Sequence, residues 1–248
     1  MMNFTSKKSV LMTLAMGMLA SMPGWAQQEI YPQHFDLANI TLLDGPFKKA
    51  MDVNTKLLLQ YDVDRLLTPF VRQAGLPNDS NSKYYQWVAK HPSFSNWGLS
   101  SWSLEGHVGG HYLTALSLAY AAEHDVATKA KLKERIDYML DVLKDCQDAF
   151  DDNTEGMKGF LGGQPINQVW TGLYQEDLTA FKKYGGWVPL YCEHKVLAGL
   201  RDAWLYVESD KAKEIYKKMC DWSVDLIGKL TDAEMQTVLG WEHGGMNE

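Results

Sequence analysis

Two stretches of the chain carry one pattern twice, and that repeat constrains the fold more than any other feature. Each begins with a helix that is small and apolar nearly all round: Leu113, Ala115, Leu116, Leu118, Ala119 and Ala121 in residues 106–123, then Val196, Leu197, Ala198, Gly199 and Leu200 in residues 187–207. A short acidic turn follows, His124-Asp125 or Ser209-Asp210. An amphipathic, charged helix comes next, with Lys129, Lys131, Lys133, Glu134 and Arg135 in residues 127–150, or Lys211, Lys213, Glu214, Lys217 and Lys218 in residues 211–230. A helix apolar on every side must be buried, and an amphipathic one covers it. The two units align at His111-Tyr112-Leu113 over His194-Lys195-Val196, and His243 to Glu248 reads as the opening of a third inner helix. Repeated inner and outer helix pairs predict an all-α toroid whose inner helices line a cavity, with an ordinary all-α bundle as the alternative. Because the third inner helix only begins, the working domain is expected to continue past Glu248.

The N-terminus reads differently. Lys7-Lys8 and the apolar run Val10–Ala20, too short to span a bilayer, followed by Gly24-Trp25-Ala26, predict a signal peptide over 1–26 with cleavage before Gln27. The protein is then exported, to the periplasm or the cell exterior. The formal net charge is -7, and loss of Lys7 and Lys8 with the leader makes it two units more negative. Such an acidic surface excludes nucleic acid and anionic membrane as natural partners. His34 to Leu42 alternates well enough for a short β segment ending at Asp44-Gly45-Pro46, after which the period turns helical through Phe47, Met51, Leu57, Leu58, Tyr61, Leu66 and Leu67. Residues 74–104 read as irregular and aromatic-rich.

Each inner helix starts with histidine beside glycine or an acid: Glu105-Gly106-His107 with Gly109-Gly110-His111, Cys192-Glu193-His194, and Glu242-His243-Gly244-Gly245. Equivalent ends of successive inner helices converge on one mouth of a toroid, and free N–H groups at helix starts suit hydroxyls and anions. His107 and His111 have a metal-ligand spacing, but the sequence places no third ligand, and Gly109-Gly110 reads as an irregular turn. Glu105, Glu176, Asp177, Glu193, Glu242 and Glu248 are the carboxylates available for acid–base work, with capping or salt bridging as the competing role for each. Trp87, Trp97, Trp102, Trp170, Trp187 and Trp241 sit where they would stack on sugar rings or fill the core. Cys146, Cys192 and Cys220 lie in apolar helical contexts and read as buried, inert thiols.

The motifs in series, from Trp97-Gly98-Leu99 and Trp102 through His111-Tyr112-Leu113-Thr114-Ala115, then Trp187 through Leu200, then Glu242 through Glu248, resemble the β-L-arabinofuranosidases of glycoside hydrolase families 127 and 146. Phe35-Asp36-Leu37, Leu43-Asp44-Gly45-Pro46-Phe47 and Asp64-Arg65-Leu66-Leu67 resemble that family's start, so the likeness spans residues 27–248 in order. It implies an (α/α)6 toroid, incomplete in this chain, and exo-acting release of β-linked L-arabinofuranose from plant glycans. It also implies retention through a cysteine thiolate held on zinc, with a glutamate as acid/base. In the family those groups lie beyond the Gly-Gly-Met-Asn-Glu helix start. The resemblance therefore implies no catalytic residue and no metal ligand here, and a chain inactive by itself. Sugar binding carries over to His194 and His243, with Glu248 beside them and His107 and Trp102 as looser matches. The rivals are a non-catalytic carbohydrate-binding protein of the envelope and a different toroid enzyme such as a polysaccharide lyase.

Overall fold

The computed structural model describes residues 35–94, 104–153, 156–165, 167–183, 188–243 and 245–246. The chain divides into Met1–Asp36, of which only Phe35 and Asp36 are described, and Leu37–Glu248, which contains every element below. The predicted leader therefore lies outside the described residues. No helix among them is long and apolar enough to cross a membrane.

The fold is all-α. Pro46–Gln60 (α1) opens on a proline in its first turn, where a missing N–H costs nothing, and Val63–Gln73 (α2) follows after a break at Tyr61-Asp62. One continuous helical period thus becomes two helices. The burial shifts with it: α2 buries Leu66, Leu67, Phe70 and Val71, whereas α1 buries only Thr55 and Leu58 and leaves Phe47 77% exposed. The short Trp87–Lys90 (α3) interrupts the aromatic stretch.

The repeated pairs follow. His107–Ala122 (α4) and Val126–Asn153 (α5) form the first, and Pro189–Val207 (α8) and Asp210–Ile227 (α9) the second. Between them lie Asn167–Tyr174 (α6) and Ala180–Lys183 (α7), and Asp232–Trp241 (α10) comes last. The acidic turns cap the outer helices: Thr128 N donates to Asp125 Oδ2 at 2.8 Å, and Ala212 N to Ser209 Oγ at 3.2 Å. The apolar faces of the outer helices, Leu132, Ile136, Met139 and Leu143 on α5 and Ile215, Met219, Trp222 and Leu226 on α9, complete the core. This arrangement of inner and outer helices is that of an incomplete toroid.

Helices α4 and α8 cross with their backbones touching. A Cβ built on Gly110 would fall 2.1 Å from Lys195 O, and one on Gly199 would fall 2.6 Å from Gly110 O. Gly109-Gly110 therefore does not form an irregular turn, as the sequence suggests; both residues lie within α4, and Gly110 is small because a second helix passes there. The expected β segment is also corrected. Leu37–Asn39 is a 3-10 helix, and no strand occurs among the described residues to pair with it. The run instead meets α4's end, where His124 Nε2 lies 3.1 Å from Ile40 O.

Candidate functional site

The N-terminal ends of α4 and α8 bring the candidate side chains together. His107 Nδ1 bonds Leu104 O, holding the ring against the turn that starts α4. One helical turn on, His111 Nε2 lies 3.2 Å from the Tyr191 hydroxyl of α8. The His107 and His111 rings stand 6.0 Å apart, and the His107 ring is 5.6 Å from that of Tyr191. Lys195 Nζ sits 5.2 Å from the centre of the Tyr191 ring. Burial, and then the neighbouring Lys195, His107 and His194, push the His111 imidazole below its usual range, so it is neutral near pH 7. A neutral imidazole can donate from one nitrogen and accept at the other, as can the phenol oxygen. That is a matched set for paired hydroxyls.

His194 is buried, only 8% exposed, and faces the turn after α10. A Cβ on Gly245 would fall 2.2 Å from its Cε1, so a residue without a side chain is required there. On this side His194, Arg201, Asp202, Tyr216 and Gly245 border a cavity of about 620 Å³ between α8 and α9. His243 is exposed, and its charge favours the carboxylate form of the neighbouring Glu242. Trp102 and Glu248 lie outside the described residues, as do Trp97 and Trp187. Tyr191 and Lys195 went unselected in the sequence. They are one turn apart on a helix already singled out for His194, and that proximity was the available signal.

The carboxylates divide by what they touch. Glu105 is buried and accepts from Arg72 and, at 3.1 Å, from Ser93 Oγ, clamping the turn before α4. Glu242 receives the backbone N–H groups of Leu190 and Tyr191, both at 2.8 Å, so it caps α8 from another element. Asp177 accepts from Thr179 in its own turn, which holds its carboxyl below the usual range; Glu176 sits in the same turn in a left-handed conformation. Glu193 is 1% exposed, and neither of its oxygens has a hydrogen-bond partner among the described residues. Trp170 is core, edge-on to Trp222 at 5.5 Å; Trp87 donates to Thr68 Oγ1 at 3.1 Å; Trp241 is exposed.

The zinc-thiolate centre implied by the resemblance does not fit the residues present. Cys146 and Cys192 are buried and Cys220 half-buried, all three are free, and burial pushes every thiol up rather than toward thiolate. Among the described residues the one group able to hold an ion is Asp62, Asp64 and His91, which offers no sulfur. Asp64 there already accepts from Tyr138 at 2.6 Å and pairs with His91.

Fold and rim together define an all-α domain of paired inner and outer helices with a histidine- and tyrosine-lined mouth. The family model for the beta-L-arabinofuranosidase GH127 catalytic domain matches residues 39–248, and the chain belongs to that family of glycoside hydrolases. No curated protein matches the chain.

Proposed function

We propose that this chain supplies the sugar-facing N-terminal portion of an exported, exo-acting β-L-arabinofuranosidase whose substrate is an L-arabinofuranose-containing plant glycan. The observation that carries this reading is the meeting of His107, His111 and Tyr191 at the start of two adjacent inner helices, within a domain of that family. His111 and Tyr191 present donor and acceptor atoms to neighbouring hydroxyls of a furanose. The Tyr191 ring gives an apolar face, and His194 and His243 extend the rim toward the turn after α10. The neutral imidazole of His111 suits a neutral sugar, because it binds hydroxyls without having to shed a tightly held ionic hydration shell.

These 248 residues by themselves do not hydrolyse the glycosidic bond. Burial keeps the Cys146 and Cys192 thiols protonated, and Glu105 and Glu242 are committed to Arg72 and to a helix end. The test is calorimetric titration with L-arabinose beside an assay on an aryl β-L-arabinofuranoside. The expected result is saturable sugar binding weakened at least tenfold in His111→Ala and in Tyr191→Phe, with no arabinose released. Release of arabinose refutes the assignment of the chemistry to residues outside this chain. Binding unchanged in both variants refutes the site. Sequencing the exported product should give Gln27 first; an intact Met1 refutes the leader.

A further inference from the structure

Glu193 is left unexplained by the rim. It is 1% exposed, and neither carboxyl oxygen has a hydrogen-bond partner among the described residues. Its side chain is pressed into the joint between α8 and the buried loop of residues 156–165, where a Cβ on Gly162 would fall 2.5 Å from Oε1. The loop's next residue, Gly163, packs on the turn that starts α4: a Cβ there would come 2.8 Å from the Cα of Gly106. Glu193 thus stands in a line of contact running from α8, through the loop, to the residue before His107.

Among the described residues that line a cavity with Glu193, none carries a positive charge. Phe160 and Gly162 come from the loop, Trp170 and Leu173 from α6, Trp222, Ser223 and Leu226 from α9, and Met235 and Val238 from α10. None of these carries a charge. The nearby titratable groups are Cys192, a buried thiol on the same helix, His194 next along it, and Glu242, whose two oxygens are taken by Leu190 and Tyr191. Gln164 of the loop is uncharged. An ionised carboxylate without a partner cannot be held at such a place, whereas the neutral acid leaves only a hydroxyl and a carbonyl to accommodate.

We infer that Glu193 is a protonation-controlled pin, closing the joint between α8 and the 156–165 loop as the neutral acid and opening it when the proton leaves to solvent. Burial alone pushes this carboxyl well above its usual range, which agrees with the geometry. The sign follows. A group whose pKa is raised in the folded state contributes fully below the unfolded value of roughly 4.3, and that contribution is lost as pH rises through the folded value. The device is independent of the sugar-binding reading.

The test compares the wild-type chain with Glu193→Gln, and with Glu193→Leu as a second neutral replacement, by denaturant unfolding at pH 4.5 to 8. From roughly pH 4.3 up to the folded value the wild-type folding constant should fall about tenfold per pH unit relative to either variant, then level off, with little difference at pH 4.5. Infrared spectra of the wild type at pH 7 should also show a protonated-carboxyl band that shifts slowly in D₂O and is missing from both variants. Parallel stability profiles overturn the inference, as does wild-type stability that rises with pH relative to the variants. Should neither variant fold, the wild-type spectrum decides: a slowly exchanging acid band at pH 7 supports the pin, and its absence overturns it.

Discussion

Removing the Glu242 carboxyl tests whether the residue that follows α10 caps the start of α8. In the native protein its two oxygens accept from Leu190 N and Tyr191 N, each at 2.8 Å, while the side chain is itself only 9% exposed. Pro189 carries no N–H, so Leu190 and Tyr191 bring the N–H groups of the first turn of α8 that have no partner within the helix. Glu242→Ala orphans both. An unsatisfied buried donor costs about 1–3 kcal/mol, and since Leu190 and Tyr191 are only half-buried, water recovers part of that. About 1 kcal/mol for each bond is the appropriate figure, so the variant should lose about 2 kcal/mol, or roughly thirtyfold in its folding constant. Glu242→Gln keeps one acceptor and should lose about 1 kcal/mol.

A pH dependence accompanies this loss. Burial outweighs the two N–H bonds and pushes the Glu242 carboxyl up, so its ionisation opposes folding. The wild type's advantage over Glu242→Gln should therefore be largest near roughly pH 4.3 and shrink as pH rises through the folded value. Urea denaturation of the three proteins at pH 4.5 and 7 measures both effects. The capping argument is refuted if Glu242→Ala is within about 0.5 kcal/mol of wild type, or if the Gln deficit widens with pH.

Three further outcomes follow from the packing. Gly110→Ala should gain about 1 kcal/mol from helix propensity alone, but the Lys195 carbonyl 2.1 Å from the new Cβ predicts a loss of about 3 kcal/mol or more, so the sign of the change in melting temperature decides. Glu105→Gln removes the charge opposite Arg72 but keeps one acceptor oxygen, and Arg72 is 31% exposed, so the substitution should destabilise by about 1–2 kcal/mol, read by denaturant unfolding. In the native protein Cys146 should resist a thiol reagent until unfolding while half-buried Cys220 reacts; modification of Cys146 at the Cys220 rate would contradict the buried core.

The repeated helix pairs were readable because their signal is burial itself. Leu113, Leu116, Val196 and Leu200 lie buried where an all-round apolar helix must put them, and Asp125 and Ser209 cap the outer helices as their chemistry demands. Helix α10 was equally announced, by Thr231 and Glu234, whose reciprocal capping box is a local signature, yet the sequence reading assigned no element to residues 231–241. The glycines misled for a physical reason. Helix propensity treats Gly109-Gly110 as a weakness, and only a second backbone passing at Lys195 turns it into a requirement. The alternation of residues 34–42 misled for a related one, since a strand exists only with a partner, and a single run of residues carries no information about that. At the site, His107 and His194 were chosen because they recur at helix starts. Tyr191 had only its closeness to His194 to mark it in the sequence, and its contact with His111 became visible once α4 and α8 were seen side by side. The carboxylates were legible as candidates and not as roles, because a cap, a clamp and a catalytic acid have the same composition and differ in what they touch.

The contact between α4 and α8 has a consequence for how such a rim can vary. Because Gly110, Gly199 and Lys195 meet through main-chain atoms, the spacing of the two helices is fixed without any help from the residues at their mouth. His107, His111 and Tyr191 hang from a frame whose gauge is set by the main chain at Gly110 and Lys195. Side chains at the rim can then be exchanged one at a time, for a different hydroxyl pattern or ring size, while the frame stays in register. A change at the glycines would alter every rim distance at once.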